Sequence, residues 1–237
     1  MNQLLLPTSY LPPLSYVALL LDCPCATIEI HETYPKQTHR NRCEIMTANG
    51  IMRLSVPVVR TNGNHTLTRD ITVSYAERWN IQHIRAIESA YNTSPYFLYL
   101  WDPLKAILLE HHEHLIDLNA KLMNHLLSKL SICCEISYSD EYHSGQPSSD
   151  SDQWTDLRDM FAHNKISAPP AQPSTPSTIN ILTSPHLNIS TSHTPYYQVW
   201  ADRHGFCPNL SIIDLLFNIG PAEAKKYLEQ LPQSELA

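Results

Sequence analysis

The residues best suited to chemistry stand close together in a basic stretch that follows a predicted strand. Lys36, Arg40 and Arg42 place three cations within seven residues, on a chain whose formal net charge is −7. Guanidinium groups bind phosphate or carboxylate through paired hydrogen bonds, and an ammonium group acts as a point charge. His31 and Glu32 precede this stretch and can exchange protons near neutral pH. The pattern indicates an anion-binding and proton-transfer site, with a solvated loop of paired charges as the alternative.

Three other places carry polar groups of interest. Ser9 and Tyr10 follow the first predicted strand, where open α/β sheets bind ligands, although a hydroxyl-capped turn is the simpler interpretation. His83 lies among apolar residues of a predicted helix, so it is either a hydrogen-bonded core histidine or a histidine at the mouth of a pocket. The run 110–114 (EHHEH) lacks the HExxH spacing. We therefore expect a charged surface with one packed histidine, His111, and no metal site.

The elements that must position these residues alternate along the chain. Period-2 alternation and short apolar runs predict strands, and Asn49-Gly50 predicts a hairpin. The predicted strands are 3–6, 26–31, 43–46, 52–59, 69–75 and 131–137. Helical spacing predicts helices at 14–21, 79–91, 104–130, 198–204, 211–218 and 222–230. This order predicts an α/β single domain, with a central mixed sheet flanked by helices.

Residues 143–195 differ in composition from the rest of the chain. They are crowded with Ser, Thr and Pro, which bury too little apolar area to offset the entropy of an ordered chain. We predict a flexible insertion there, between the two parts of one α/β domain, residues 1–142 and 196–237. A total of 237 residues suits one domain with an insertion, since domains average roughly 150 residues.

Composition excludes several classes of protein. With 43% hydrophobic and 16% charged residues, the chain is not disordered throughout, and its negative charge argues against a general nucleic-acid binder. The six cysteines form no CxxC pair, which predicts reduced thiols in a cytosolic protein. No basic residue precedes the first apolar stretch, and no apolar run reaches about 18 residues, so we expect a cytoplasmic protein without a membrane span.

Five segments resemble the WbqC-like protein family, with KQTxRNR and AYNxSPYF as the most specific motifs. The segments are LLPTSYLPPLSYVALL (5–20), IEIHETYPKQTHRNRCEI (28–45), GIMRLSVPVV (50–59), the Trp79–His83 helix through AYNTSPYF (90–97), and YYQVWADRHGFCPNLSIIDLLFNIGP (196–221). Members are similar to proteins found with O-antigen and other surface-polysaccharide genes. The resemblance implies a transferase, with aminoacyl (glycyl) transfer to a nucleotide-linked amino sugar as the suggested reaction.

The resemblance makes the basic stretch the leading candidate site. His31 is the first candidate for a base, followed by Glu32, with His83 as a more distant choice. The expected ligand is a nucleotide-sugar or another anionic small molecule, without a cofactor or a metal. Its predicted binding residues are Ser9, Tyr10, Lys36, Gln37, Arg40, Asn41, Arg42 and Tyr91. A non-catalytic protein that binds an anion or a partner enzyme is the alternative, and a homo-oligomer is left open.

Overall fold

The computed structural model describes residues 3–144, 154–161 and 195–231. In these ranges, strands and helices alternate as an α/β protein requires. The strands are β1 (Gln3–Pro7), β2 (Cys25–Glu29), β3 (Arg42–Thr47), β4 (Gly50–Ser55), β5 (Val58–Val59), β6 (Thr72–Val73), β7 (Glu135–Tyr138) and β8 (Trp154–Asp156). The helices are α1 (Leu14–Leu19), α2 (Trp79–Tyr91), α3 (Phe97–Leu109), α4 (Leu115–Leu130), α5 (Ala201–His204) and α6 (Ile212–Glu229).

Four parallel strands form the central sheet in the order β7-β2-β1-β8. In the β1–β2 register, Leu6 pairs with Ile28, and in the β1–β8 register Leu4 pairs with Thr155. Leu5 and Leu6 point to opposite faces of β1, and both are fully buried, as expected for a strand covered on both sides. The α/β class is confirmed, and the antiparallel pairs among the described residues, β3–β4 and β5–β6, lie outside this sheet.

The helices pack around α6 and close one apolar core. α6 contacts α1, α3 and α4, while α2 contacts α3 and β3. The core is continuous from the sheet, through Leu6 and Ile28, to the helical side chains Leu118 and Phe217. Among the described residues, no helix has both the length and the apolar character needed to cross a bilayer.

Gly220 divides α6 at the position where two helices were predicted to meet. Its backbone adopts φ 79°, in the left-handed region that favours glycine. A Cβ atom at this position would lie 2.6 Å from Cε1 of the Tyr96 ring. Pro221 follows and cannot supply a backbone donor to the helix. The kink therefore depends on a glycine for both its conformation and its packing.

The prediction of one long helix over 104–130 is wrong, because the chain turns out of the helix after Leu109. The Leu115 N–H donates to the Ile71 carbonyl at 3.0 Å, and the Val73 N–H donates to the Glu113 carbonyl at 2.9 Å. The segment between α3 and α4 thus hydrogen-bonds to the β6 region instead of continuing the helix. The apolar spacing of three and four residues fits both helices, so it conceals the break.

The break also changes which histidine is packed. His112, not His111, is the buried one, at 4% exposure, and its Nε2 lies 3.0 Å from the Ile107 carbonyl oxygen. His111 is exposed, and its ring stacks on Tyr75 with centroids 4.3 Å apart. A continuous helix would have placed His111 on the apolar stripe, whereas the turn after Leu109 buries His112 and leaves His111 exposed.

The prediction that all of 143–195 is a flexible insertion is wrong for residues 154–161. β8 pairs in parallel with β1, and the short 3-10 helix Asp159–Phe161 follows it. Phe161 is buried and packs against Tyr16, with ring centroids 5.0 Å apart. Residues 145–153 and 162–194 of the predicted insertion lie outside the described residues. The α/β domain therefore includes a strand from within the Ser/Thr/Pro-rich stretch.

Two of the other predicted strands are shorter in the structure. The run 52–59 is divided at Pro57 into β4 and β5, consistent with the edge or bulge that a proline indicates. The run 69–75 reduces to β6, because the 3-10 helix Thr68–Asp70 takes its first residues. The Asn49-Gly50 hairpin is confirmed, with Gly50 at φ 102° opposite Thr47.

Candidate functional site

A cleft of about 380 Å³ opens at the carboxyl edge of the central sheet. Loops that follow three of the strands form its walls: residues 31–40 follow β2, Tyr142 follows β7 and Asp159 follows β8. Open α/β sheets bind ligands at this edge, where polar loops leave a rigid support. The lining residues are His31, Glu32, Thr33, Pro35, Arg40, Tyr142 and Asp159.

Glu29, the last residue of β2, is fully buried and holds the loops of this edge together. Its Oε1 accepts hydrogen bonds from the His31 backbone N–H at 2.7 Å and from the Ser139 hydroxyl at 2.8 Å. Its Oε2 accepts one from the His143 N–H at 3.0 Å and lies 3.7 Å from Arg158 Nη1. A buried carboxylate is tolerated when donors and a cation surround it. Glu29 thereby fixes the backbone that carries His31.

The His31 ring is oriented by an arginine from the 3-10 helix Thr68–Asp70. Its Nδ1 lies 3.1 Å from Arg69 Nη1. A guanidinium group only donates hydrogen bonds, so His31 Nδ1 accepts, and the neutral ring carries its proton on Nε2. In this arrangement Nε2 is a donor and the Nδ1 lone pair is occupied. The contact favours His31 as a hydrogen-bond donor, whereas sequence reasoning placed it first as a base.

Glu32 and Arg40 form a buried ion pair in the wall of the cleft, with side chains 12% and 2% exposed. Arg40 Nε donates to Glu32 Oε1 at 2.7 Å, Nη2 lies 2.6 Å from the same oxygen, and the Thr68 hydroxyl lies 3.5 Å from it. All three contacts fall on Oε1, so the described residues leave Oε2 available as an acceptor. Burial raises the pKa of Glu32, and the Arg40 charge and hydrogen bond oppose this rise without cancelling it.

β8 brings a second arginine to the same edge. Arg158 Nε and Nη2 contact Asp156 Oδ1 and Oδ2, at 2.9 and 2.6 Å, and Nη2 also donates to the His143 carbonyl at 2.9 Å. Its Cζ lies 5.5 Å from the centre of the Tyr142 ring. Arg158 thus ties the loop after β7 to β8. Sequence reasoning missed this residue because it fell within the predicted insertion.

The comparisons with known proteins agree with the resemblance read from the motifs. The family model of the WbqC-like protein family matches residues 8–226, a range that includes every lining residue of the cleft. The chain belongs to the WbqC-like protein family. It is 29% identical over 233 residues to the uncharacterized protein Rv1507c of Mycobacterium tuberculosis (strain ATCC 25618 / H37Rv), covering 95% of this chain and 96% of that one. No solved structure matches the chain.

The WbqC-like segment over 28–45 supplies most of the cleft, but its basic residues do not all reach it. Of the three predicted cations, Arg40 lines the cleft, Lys36 is exposed, and Arg42 begins β3 with its side chain half-buried. Gln37 is exposed, with a backbone φ of 61°. Asn41 donates from Nδ2 to the Val56 carbonyl at 2.8 Å and so joins two segments of backbone. The basic stretch is therefore divided between the surface, the cleft and the core.

Tyr10 and His83 form a buried pair outside the lining of the cleft. Tyr10 Oη lies 2.9 Å from His83 Nδ1, and the His83 ring packs edge-on against Trp79. Burial lowers the pKa of His83 to about 4 and raises the pKa of Tyr10, so both groups are neutral at about pH 7. Ser9 is also buried, and its hydroxyl lies 3.4 Å from the His39 carbonyl. This geometry matches the hydrogen-bonded core histidine of the two alternatives.

Tyr91 belongs to a different buried network, which surrounds Asp214. The Tyr91 hydroxyl donates to Asp214 Oδ1 at 2.9 Å and accepts from the Met46 N–H at 3.2 Å. Tyr196 Oη and Gln198 Nε2 donate to Asp214 Oδ2 at 2.5 and 2.8 Å. Burial raises the pKa of Asp214, and these donors oppose the rise. Tyr91 thus joins α2 and β3 to α6 and is absent from the lining of the cleft.

The described part of the chain contains no candidate metal site. Within residues 3–144, 154–161 and 195–231, no three His, Cys, Asp or Glu side chains are grouped so that they could hold a metal ion. The cleft brings together an imidazole, two carboxyl groups, a guanidinium and a phenol. These groups can bind polar molecules and transfer protons.

Proposed function

We propose that the protein is a transferase of surface-polysaccharide biosynthesis, of the O-antigen type, which moves an acyl group to the amine of a nucleotide-linked amino sugar. An aminoacyl group such as glycyl is the acyl group that the family resemblance suggests. The observation that carries the proposal is the cleft at the carboxyl edge of the sheet, because it places His31, Glu32 and Arg40 in one polar wall. Family membership supports the same reading.

Glu32 is the group that we assign to proton removal. Its Oε1 is held by Arg40, while Oε2 has no partner among the described residues and can accept a proton. Burial raises its pKa toward the working pH, and a raised carboxyl pKa makes a better base. The sugar amine would attack the acyl carbon, form the C–N bond and give its proton to Glu32 Oε2.

His31 is the group that we assign to the acyl oxygen. The Arg69 contact occupies Nδ1 and leaves Nε2–H as a hydrogen-bond donor to the acyl oxygen, on which negative charge develops as the amine attacks. As the bond between the acyl carbon and its carrier breaks, Glu32 would return the proton that it took from the amine to the carrier atom that leaves. Glu29 supports the step by holding the His31 backbone N–H at 2.7 Å. Positioning and charge stabilisation supply the remaining rate enhancement.

A non-catalytic binding protein is the second candidate, and the Glu32–Arg40 pair is the observation that favours it. The two side chains satisfy each other at 2.6 Å, and buried ion pairs of this kind also occur as structural devices. In that case the cleft would hold an anionic intermediate or a partner enzyme without turnover.

Incubation of the purified full chain with nucleotide-linked amino sugars and activated acyl donors separates the two candidates. Mass spectrometry of the sugar would show an N-acylated product if the protein is a transferase, with no product in the absence of protein. Saturable binding of the nucleotide-sugar without any product, across the donor panel, would support the binding protein instead.

A further inference from the structure

The Tyr34 side chain is buried among arginines next to the cleft. Tyr34 is 4% exposed, and its hydroxyl has no hydrogen-bond partner among the described residues. The Cζ atom of Arg60 lies 5.1 Å from the centre of the Tyr34 ring. The Tyr34 N–H donates to the Thr66 carbonyl at 3.0 Å, which fixes the ring against the loop that follows β5.

Two further buried donors in this region also lack partners. Arg40 Nη1 and Arg42 Nε are enclosed by protein and donate to no described atom. Arg40 uses its Nε and Nη2 on Glu32, so the unpaired Nη1 is the remaining nitrogen of the same guanidinium. Buried donors are almost always paired in native proteins, so a group of three unpaired ones points to an acceptor that binds there.

The charge around Tyr34 is positive. Burial raises the pKa of Tyr34 to about 12, while the charges of Arg40, Arg60 and Arg42 each oppose the rise. The phenol therefore stays protonated at neutral pH and remains a donor. Glu32 neutralises part of the Arg40 charge, and Arg42 and Arg60 are half-buried, so solvent reaches part of both.

We propose that Tyr34, Arg40, Arg42 and Arg60, here called the Tyr34 cluster, form a phosphate-binding subsite that continues the cleft through Arg40. Donors from several separate side chains can contact different oxygens of one phosphate, and the positive charge suits a dianion. The subsite would hold a phosphate of the nucleotide-sugar, so this inference rests on the proposed function for its substrate. Tyr34 and Arg60 are the residues that it adds, and Lys36 is the one of the three predicted cations that it leaves out.

Calorimetric titration of the full chain with inorganic phosphate, pyrophosphate and a nucleoside diphosphate tests the subsite. Tyr34→Phe removes one donor, and Arg60→Gln removes one charge. Each should weaken pyrophosphate binding about tenfold or more, the range for one hydrogen bond to a charged group. Arg85→Gln is the matched control, since Arg85 is an exposed arginine of α2, and it should change the affinity by less than about twofold. Circular dichroism should show that Tyr34→Phe keeps the wild-type fold, even if Arg60→Gln does not.

The affinities decide between the outcomes. Similar affinity for pyrophosphate and the nucleoside diphosphate, lost in both variants, would support a subsite that contacts the phosphates alone. Tighter binding of the nucleoside diphosphate than of pyrophosphate would support the subsite with a further contact to the nucleoside. Absence of binding to all three probes, or equal binding in wild type, Tyr34→Phe and Arg60→Gln, would overturn the subsite. Pyrophosphate binding through the cluster without acyl transfer would keep the subsite and overturn the transferase. Acyl transfer at an unchanged rate in Tyr34→Phe and Arg60→Gln would support the transferase and overturn the subsite.

Discussion

Replacement of Arg40 by methionine should destabilise the protein in a way that depends on pH. Arg40 is 2% exposed, and its charge faces Glu32 Oε1 at 2.6 Å. Methionine fills much of the same space but leaves the Glu32 carboxylate buried without its cation. Breaking a buried pair in this way typically costs about 3–5 kcal/mol at neutral pH. A loss of this size is a large fraction of the stability of an ordinary domain.

The pH dependence follows from Glu32. In the wild type, burial already raises the pKa of Glu32, and loss of the Arg40 charge and hydrogen bond should raise it further. A group whose pKa is raised by folding favours the folded state below its unfolded pKa, and that contribution is lost as pH rises through the folded pKa. The free energy of unfolding that Arg40→Met loses relative to the wild type, here called its deficit, should therefore be smallest at about pH 5 and largest at about pH 8. Glu32→Gln removes the group that titrates in the wild type, so the free energy of unfolding that it loses should shrink from about pH 5 to about pH 8, the opposite trend to Arg40→Met.

Urea unfolding, followed by tryptophan fluorescence at both pH values, gives the free energies of unfolding. Lys105→Leu is the control, because Lys105 pairs with Glu88 at the surface, where both side chains are about a third exposed. Its effect should stay below about 1 kcal/mol. The double variant Glu32→Gln/Arg40→Met should recover much of the loss, since it leaves no unpaired charge. A deficit for Arg40→Met of the same size at both pH values would refute the argument.

Three other perturbations test separate parts of the structure. Gly220→Ala should lower the free energy of unfolding by about 1–2 kcal/mol for the left-handed backbone and by up to about 3 kcal/mol more for overlap with Tyr96. In a Tyr96→Ala background, urea unfolding should show only the backbone cost, because the overlap is gone. Burial lowers the pKa of His83 to about 4, and this shift contributes about 3 kcal/mol to the free energy of unfolding. The contribution is fully present above the unfolded pKa of about 6.5 and is lost as pH falls toward 4. A stability–pH slope over this range that His83→Gln leaves unchanged would contradict this. Tyr91→Phe should cost about 1–3 kcal/mol, because it removes a donor to buried Asp214, and a neutral effect on the melting temperature would show that the network contributes little.

Strands and turns with strong local signals could be predicted from the sequence. Alternation around Ile28 predicted β2, the Asn49-Gly50 pair predicted the β3–β4 hairpin, and the spacing from Trp79 predicted α2. In each case local preference and burial agree, so a short window contains the information. The break between α3 and α4 depends instead on a bridge between Thr72 and His114, which no local pattern shows.

The site could be predicted in part. The residue types and position of His31, Glu32 and Arg40 after β2 indicated the cleft, because loops at the carboxyl ends of parallel strands meet. The pairing of Glu32 with Arg40 could not be predicted, since an eight-residue separation within a loop follows no spacing rule. β8 had a weak signal: Trp154, Leu157 and Phe161 interrupt the Ser/Thr/Pro-rich stretch, and Arg158 lies among them. Composition over a long window concealed this short strand.

The most direct test of the central claim is the turnover of a nucleotide-linked amino sugar and an activated acyl donor by wild type, Glu32→Gln and His31→Ala. Each variant would first be shown to be folded by circular dichroism, and its affinity for the sugar would be measured alongside. The proposed roles predict product with the wild type and a kcat lower by about 10²-fold or more in each variant, with little change in sugar affinity. Equal turnover in all three proteins, or no acyl transfer by the wild type, would contradict the assignment of this cleft as a transferase site.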